Sequence, residues 1–206
     1  MINIKEILIC ALKKRCVFHS EADFQHHLAW WIHKKLDNAE LRLEYPFSQC
    51  ESKHREYCDI FLRSPYKIGI ELKYKTKSPK EPLIINEDPF ELRNQGAQDT
   101  GRYDFLKDVS RLEHWCEQNS IDSGYAIMLT NDHLYWNKPV RPNTNDENFR
   151  IHDRTISGEL AWREGTAAST MQNHPSPICL KNKYDIKWED APCYDFKYLL
   201  LEIKQR

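Results

Sequence analysis

The stretch Tyr57-Cys58-Asp59-Ile60-Phe61-Leu62-Arg63, with the turn Ser64-Pro65-Tyr66 and then Lys67-Ile68-Gly69-Ile70-Glu71-Leu72-Lys73-Tyr74-Lys75, decides how this chain is read. Both flanks alternate in character with period two, as β-strands do. In the second, Ile68, Ile70, Leu72 and Tyr74 face one way, and Glu71, Lys73 and Lys75 the other. In the first, Cys58, Ile60 and Leu62 share a face opposite Tyr57, Asp59 and Phe61. Pro65 presets φ in the turn and withholds a ladder donor. With Arg63 and Lys67 as the pair flanking the turn, the antiparallel register sets Asp59 opposite Glu71. Directly opposed side chains on one face come within roughly 5 Å at Cβ. Two carboxylates that close repel each other unless a cation lies between them. Lys73 stands two residues further along the same face.

Upstream, Ile4, Ile7, Leu8, Ala11 and Leu12 recur at helical spacing over 3–15, and Lys13, Lys14 and Arg15 complement the helix dipole. This predicts a packing or interface helix with no chemistry of its own. Ser20 is a good N-cap for a second helix over 21–37, with Glu21 and Asp23 in its first turn and Phe24, Leu28, Trp31, Ile32 and Leu36 as its buried stripe. Leu41, Leu43, Tyr45 and Phe47 alternate with Arg42 and Glu44 as a first strand, and polar residues 48–55 join it to the hairpin.

Downstream, residues 76–97 form a long connection with Pro79, Pro82 and Pro89. Loops of this length within a domain are usually functional or mobile. Phe105, Leu106, Val109, Leu112 and Cys116 mark a helix that Gln98, Arg102 and Tyr103 open. Tyr125-Ala126-Ile127-Met128-Leu129 has the apolar run of a strand buried on both faces. Residues 133–176 are polar and read as an insertion, and 178–188 and 194–203 as two closing strands that extend the sheet. The whole is expected to be a single α/β domain over 1–206, its core at about 20–132 in the order α-β-β-β-α-β.

Composition narrows the classes further. Of 206 residues, 40% are hydrophobic and 30% charged, as in a globular protein with a real core. The formal net charge of −1 supplies no global field for polyanions, so any nucleic-acid contact must rest on local clusters such as Lys73, Lys75, Lys77 and Lys80. Seven Cys without Cys-x-x-Cys pairs suggest free thiols in a reducing, cytoplasmic setting. Cys50, His54 and Cys58 have the spacing of half a zinc site but lack a second pair. Lys5 and Glu6 interrupt the apolar N-terminus, which argues against a secretory signal. No apolar run approaches the roughly 20 residues of a membrane span. A Gly-rich phosphate loop and a Gly-x-Ser-x-Gly elbow are both absent.

Asp59, then Glu71-Leu72-Lys73 on the next strand, resembles the PD-(D/E)XK nuclease superfamily, with Cys58 where the family has its name-giving Pro. The resemblance implies a restriction-endonuclease-like fold, a mixed central sheet flanked by helices, with C-terminal strands added. It implies that Asp59 and Glu71 hold magnesium or manganese, with the Leu72 carbonyl as a third ligand, while Lys73 activates water and stabilises charge at the phosphate. Glu21 matches the family's helix acid, with Asp23 as the alternative. Gln98, followed by Arg102 and Tyr103, looks similar to a Gln and aromatic pair that several lineages carry on the next helix. Gln98 would then bond a phosphate or metal-bound water, and Arg102, Tyr103 and Lys75 would meet substrate. DNA, or RNA, is the implied substrate, and a homodimer is a common assembly. A restriction-endonuclease-like module that binds nucleic acid or protein without cleaving is the competing expectation.

Overall fold

The computed structural model describes residues 2–47, 56–193 and 195–204. The chain begins with helices α1 (Ile4–Lys14) and α2 (Glu21–Lys35), followed by strands β1 (Glu40–Phe47), β2 (Glu56–Ser64) and β3 (Ile68–Lys75). A short hairpin of β4 (Leu83–Ile85) and β5 (Asp88–Phe90) leads to α3 (Gln98–Glu117) and β6 (Ser123–Thr130). Then come β7 (Arg154–Leu160), the short α4 (Ala168–Met171), β8 (Ile178–Ile186), β9 (Trp188–Asp190) and β10 (Lys197–Lys204).

One mixed sheet in the order β1-β2-β3-β6-β10-β9 divides the molecule. β2 runs antiparallel to β1 and β3, β3 lies parallel to β6, and β10 is antiparallel to β6 and β9. The parallel β3–β6 pair requires a crossover, which α3 provides. The α1 and α2 stripes pack on one face with Ile60, Leu62, Ile70, Leu72 and Tyr74. α1 buries the five residues its periodicity marks, against α2 and the sheet, so that face is closed within the chain. α2 is capped by Ser20, whose hydroxyl accepts the Asp23 N–H.

The other face carries α3, which is buried on two sides because it has a cover of its own. β7 and β8 pair as a separate antiparallel hairpin whose Ile156, Leu160, Ile178, Leu180, Tyr184 and Ile186 join the core around α3. Two corrections to the sequence reading follow. The 133–176 segment contributes β7 and α4, and of the two closing strands only β10 enters the main sheet. β8 stays out because the buried carboxylate of Glu113 on α3 accepts the Lys181 and Asn182 N–H groups and the Tyr184 hydroxyl. The Cys16 and Cys193 thiols, expected free, are paired, with Cα atoms 6.3 Å apart. Cys50 and His54 lie outside the described residues.

The β2–β3 register is the expected one: Leu62 opposes Ile68, Phe61 opposes Gly69 and Ile60 opposes Ile70. The ladder ends one step before Asp59 and Glu71 would pair. There both β1 and β2 switch faces. Leu41, Ile60 and Leu62 belong to the core under α1 and α2, whereas Tyr45, Phe47 and Cys58 belong to the core under α3. Glu44, with φ +48°, is the hinge of the switch in β1, and Asp59 is its counterpart in β2. Cys58 therefore does not share a face with Ile60 and Leu62, as strict alternation predicts.

Candidate functional site

Where β2 leaves β3, side chains replace the ladder. Asp59 Oδ2 accepts the Leu72 N–H at 2.6 Å, and the Asp59 carbonyl accepts from Gln25 Nε2 at 2.6 Å. Gln25, on α2, also donates to Glu44 Oε1 at 2.7 Å, so one buried amide clamps both face-switching residues. Glu21 Oε2, four residues earlier on α2, accepts the Tyr74 N–H at 2.7 Å. Glu21 and Asp59 thus bind the backbone of β3 on either side of Lys73.

From α3 come two residues that the sequence reading missed. Asp108 Oδ2 lies 2.5 Å from Lys73 Nζ, and Arg111 reaches Glu71 Oε2 at 2.6 Å and Asp108 Oδ1 at 2.8 Å. Glu71 is only 1% exposed, and its second oxygen, Oε1, is buried without a hydrogen-bond partner. Lys73 Nζ also donates to the Leu72 carbonyl at 3.2 Å, the group expected as a metal ligand. Asp108 and Arg111 are three residues apart on one helix face, the spacing at which side chains act together. That pairing was the available signal, but without the packing direction of α3 nothing tied it to β3.

Burial drives the electrostatics. It pushes the Asp59 carboxyl up to about 6, against the pull of the Leu72 N–H and the Lys73 ammonium. Burial, and then the Asp108 charge, raise Glu71 well above the ordinary carboxylate range despite Arg111. Burial works to lower Lys73, but Asp108, Glu21 and Asp59 outweigh it and the net direction is upward. Lys73 is therefore a firmly charged ammonium. Asp108 thus pairs with both Lys73 and Arg111, and Arg111 with Glu71 as well, while Asp59 and Glu71 are the carboxyls that burial drives toward the protonated form.

The expected residues separate into two groups. Glu21, Asp59, Glu71, Leu72 and Lys73 are brought together where β2 and β3 part. Asp23, the alternative helix acid, turns away to Arg15 at 2.7 Å. Lys75, two residues past Lys73, lines an adjoining cleft. Gln98 begins α3, about 15 Å along the helix axis from Asp108 at 1.5 Å per residue. Its amide donates to Asp132 Oδ2 at 2.8 Å and fastens α3 to the end of β6. Arg102 is 3% exposed, paired with Asp146 at 2.5 Å and bonded to the Leu134 carbonyl, so its guanidinium serves the interior rather than a phosphate. Tyr103 is buried too, with its hydroxyl on the Ser176 carbonyl and its ring stacked on Trp162.

Among the described residues no group of three His, Cys, Asp or Glu side chains is arranged to hold a metal ion. Glu71 is turned to Arg111 and Glu21 to the backbone, so the three expected acids do not converge on one point. The orphaned Glu71 Oε1 is what fits a cation here. Comparison with protein-family models, curated proteins and solved structures found no match. No helix among the described residues is long and apolar enough to cross a membrane.

Proposed function

We propose that this chain is a metal-dependent nuclease of the restriction-endonuclease-like kind that hydrolyses phosphodiester bonds, in DNA first. The observation that carries the reading is Asp59 and Glu71 on adjacent strands, at the point where the strands part, with the Lys73 ammonium near enough to act electrostatically on both. The strand order β1-β2-β3-β6, with β3 parallel to β6 across α3, supports the same reading. Asp59 and Glu71 would hold a magnesium or manganese ion. Such an ion supplies a polarised phosphate oxygen and an activated water.

The chain's own residues account for the rest. Lys73, fixed by Asp108, places a positive charge where a phosphate gains negative charge in the transition state. Gln25 and the Leu72 N–H hold Asp59 in place, and Arg111 keeps one Glu71 oxygen occupied so that Oε1 alone is left without a partner. Gln98, Arg102 and Tyr103 take no part; they anchor α3.

One observation favours a second reading. Lys73 and Glu71 are both neutralised by α3 partners, a network that stands without metal and suits a fold kept as a nucleic-acid- or protein-binding module. Incubation of plasmid, linear, single-stranded DNA and RNA with magnesium or manganese separates the two. Cutting that is metal-dependent and lost in Lys73→Ala is the expected result. A folded protein that cuts none of the four, and whose melting temperature does not respond to either metal, leaves the binding module.

A further inference from the structure

A cleft of about 630 Å³ opens beside the acidic site, between the N-terminus of α2 and the 76–97 segment. Its walls include His19 and Ser20 on one side and Arg93 and Gln95 on the other, with Tyr74 and Lys75 between them. Glu21 belongs to it as well, and Glu21 acts electrostatically on both Asp59 and Lys73, so the cleft leads to the cluster. The far wall is fastened to the end of β3. Thr76 N–H donates to Gln95 Oε1 at 3.1 Å, Gln95 N–H to the Thr76 carbonyl at 2.9 Å, and Thr76 Oγ1 to the Arg93 carbonyl at 2.8 Å.

The cations of this cleft differ from the others around the site. Lys73, Arg102, Arg111 and Arg150 are each paired with a carboxylate. Among the described residues neither Lys75 nor Arg93 has an ion-pair partner, although both line the cleft. Two carboxylates also line it: Glu21 is occupied by the Tyr74 N–H, and Glu91 is exposed. The Gln95 oxygen accepts the Thr76 N–H, and its amide donors remain to be offered. The His19 ring lies flat against Phe90, centroids 4.4 Å apart at 11°, with 52% of the His19 side chain exposed. Unpaired cations, amide donors and a half-exposed flat ring are what a nucleotide chain is held by.

We propose that this cleft binds the sugar–phosphate backbone of a single polynucleotide strand, Lys75 and Arg93 meeting phosphates and His19 offering a stacking surface to a base. The proposal rests on the nuclease reading and gives its substrate class. The strand is single because a cleft in the size range of small-ligand pockets admits unpaired nucleotides, while the convex side of a duplex bridges its mouth.

The test is fluorescence anisotropy in EDTA, where no cutting occurs, with a labelled oligothymidylate and a labelled hairpin duplex of equal length. Tighter binding of the oligothymidylate is expected. Lys75→Gln with Arg93→Gln should weaken it about tenfold or more and reduce its log–log salt slope by about 1.4, at ~0.7 per phosphate contact. His19→Ala should weaken binding with the slope unchanged, since stacking carries no counterion release. Lys75→Arg, which keeps the charge, guards against misfolding and should bind like the parent. Equal affinity for duplex, or variants that match the parent, overturns the proposal. Cleavage assayed in parallel separates the two readings. Cleft-dependent binding without cutting removes the nuclease and leaves the cleft, and cutting with unaffected binding does the reverse.

Discussion

Asp59→Asn isolates a single buried charge. The Asn side-chain oxygen can still accept the Leu72 N–H, so the substitution keeps the bond and deletes the carboxylate. In the folded protein Asp59 holds its proton up to about pH 6, whereas the unfolded chain releases it near the ordinary 3.8. Between those values the folded state binds the extra proton, and stability falls as pH rises. The contribution is fully present below about pH 4 and lost above about pH 6. The difference between 3.8 and about 6, at ~1.36 kcal/mol per pH unit, is about 3 kcal/mol. Thermal melts without metal should therefore show Asp59→Asn above the parent by about 6–12 °C at pH 8, for a chain of this size, and close to it at pH 4. Magnesium at pH 8 should raise the parent's melting temperature and leave the variant unmoved. A variant that melts at or below the parent at pH 8 refutes the placement of Asp59 as a strained carboxylate. So does a gap that does not change with pH.

Arg111→Ala should cost about 3–5 kcal/mol in chemical denaturation, because Glu71 and Asp108 lose a shared cation inside the protein. Arg111→Ala combined with Glu71→Gln should recover part of that loss, and a double variant no better than the single excludes the pairing. Gly124→Ala should destabilise by about 1–3 kcal/mol, since its new Cβ meets the Leu112 side chain of α3 at 3.0 Å. An unchanged denaturation midpoint shows that α3 yields there.

Much of the fold was legible because it rests on local periodicity. α1, α2 and β6 lie where their apolar spacing puts them, and the β2–β3 register follows from one turn. The β7–β8 hairpin was less legible. Its residues alternate as any sheet strand does, and what keeps β8 on the outer side of α3 is the bonding of Glu113, sixty-eight residues before Lys181. A helix buried on two sides was the cue, since Tyr103, Phe105, Val109 and Trp115 do not fit one stripe. The site divides in the same way. Asp59, Glu71 and Lys73 were visible as strand residues of fixed spacing. Asp108 and Arg111 were two polar residues among many until α3 was laid on β3, and Arg102, expected on substrate, is enclosed with Asp146. The face switch at Glu44 and Asp59 has no sequence signal, because a left-handed Glu is not a residue that turn chemistry anticipates.

β10 pairs with β6 along its whole length, from Lys197 opposite Thr130 to Lys204 opposite Ser123. During synthesis β6 leaves the ribosome long before its neighbour, with residues 131–196 still to come. Throughout that interval Ala126-Ile127-Met128-Leu129, an apolar edge with no charge to deter pairing, is open to any strand in reach. A nascent chain that stalls before residue 197 thus carries a template for aggregation, and the eight residues of β10 protect the protein as much as they complete its sheet.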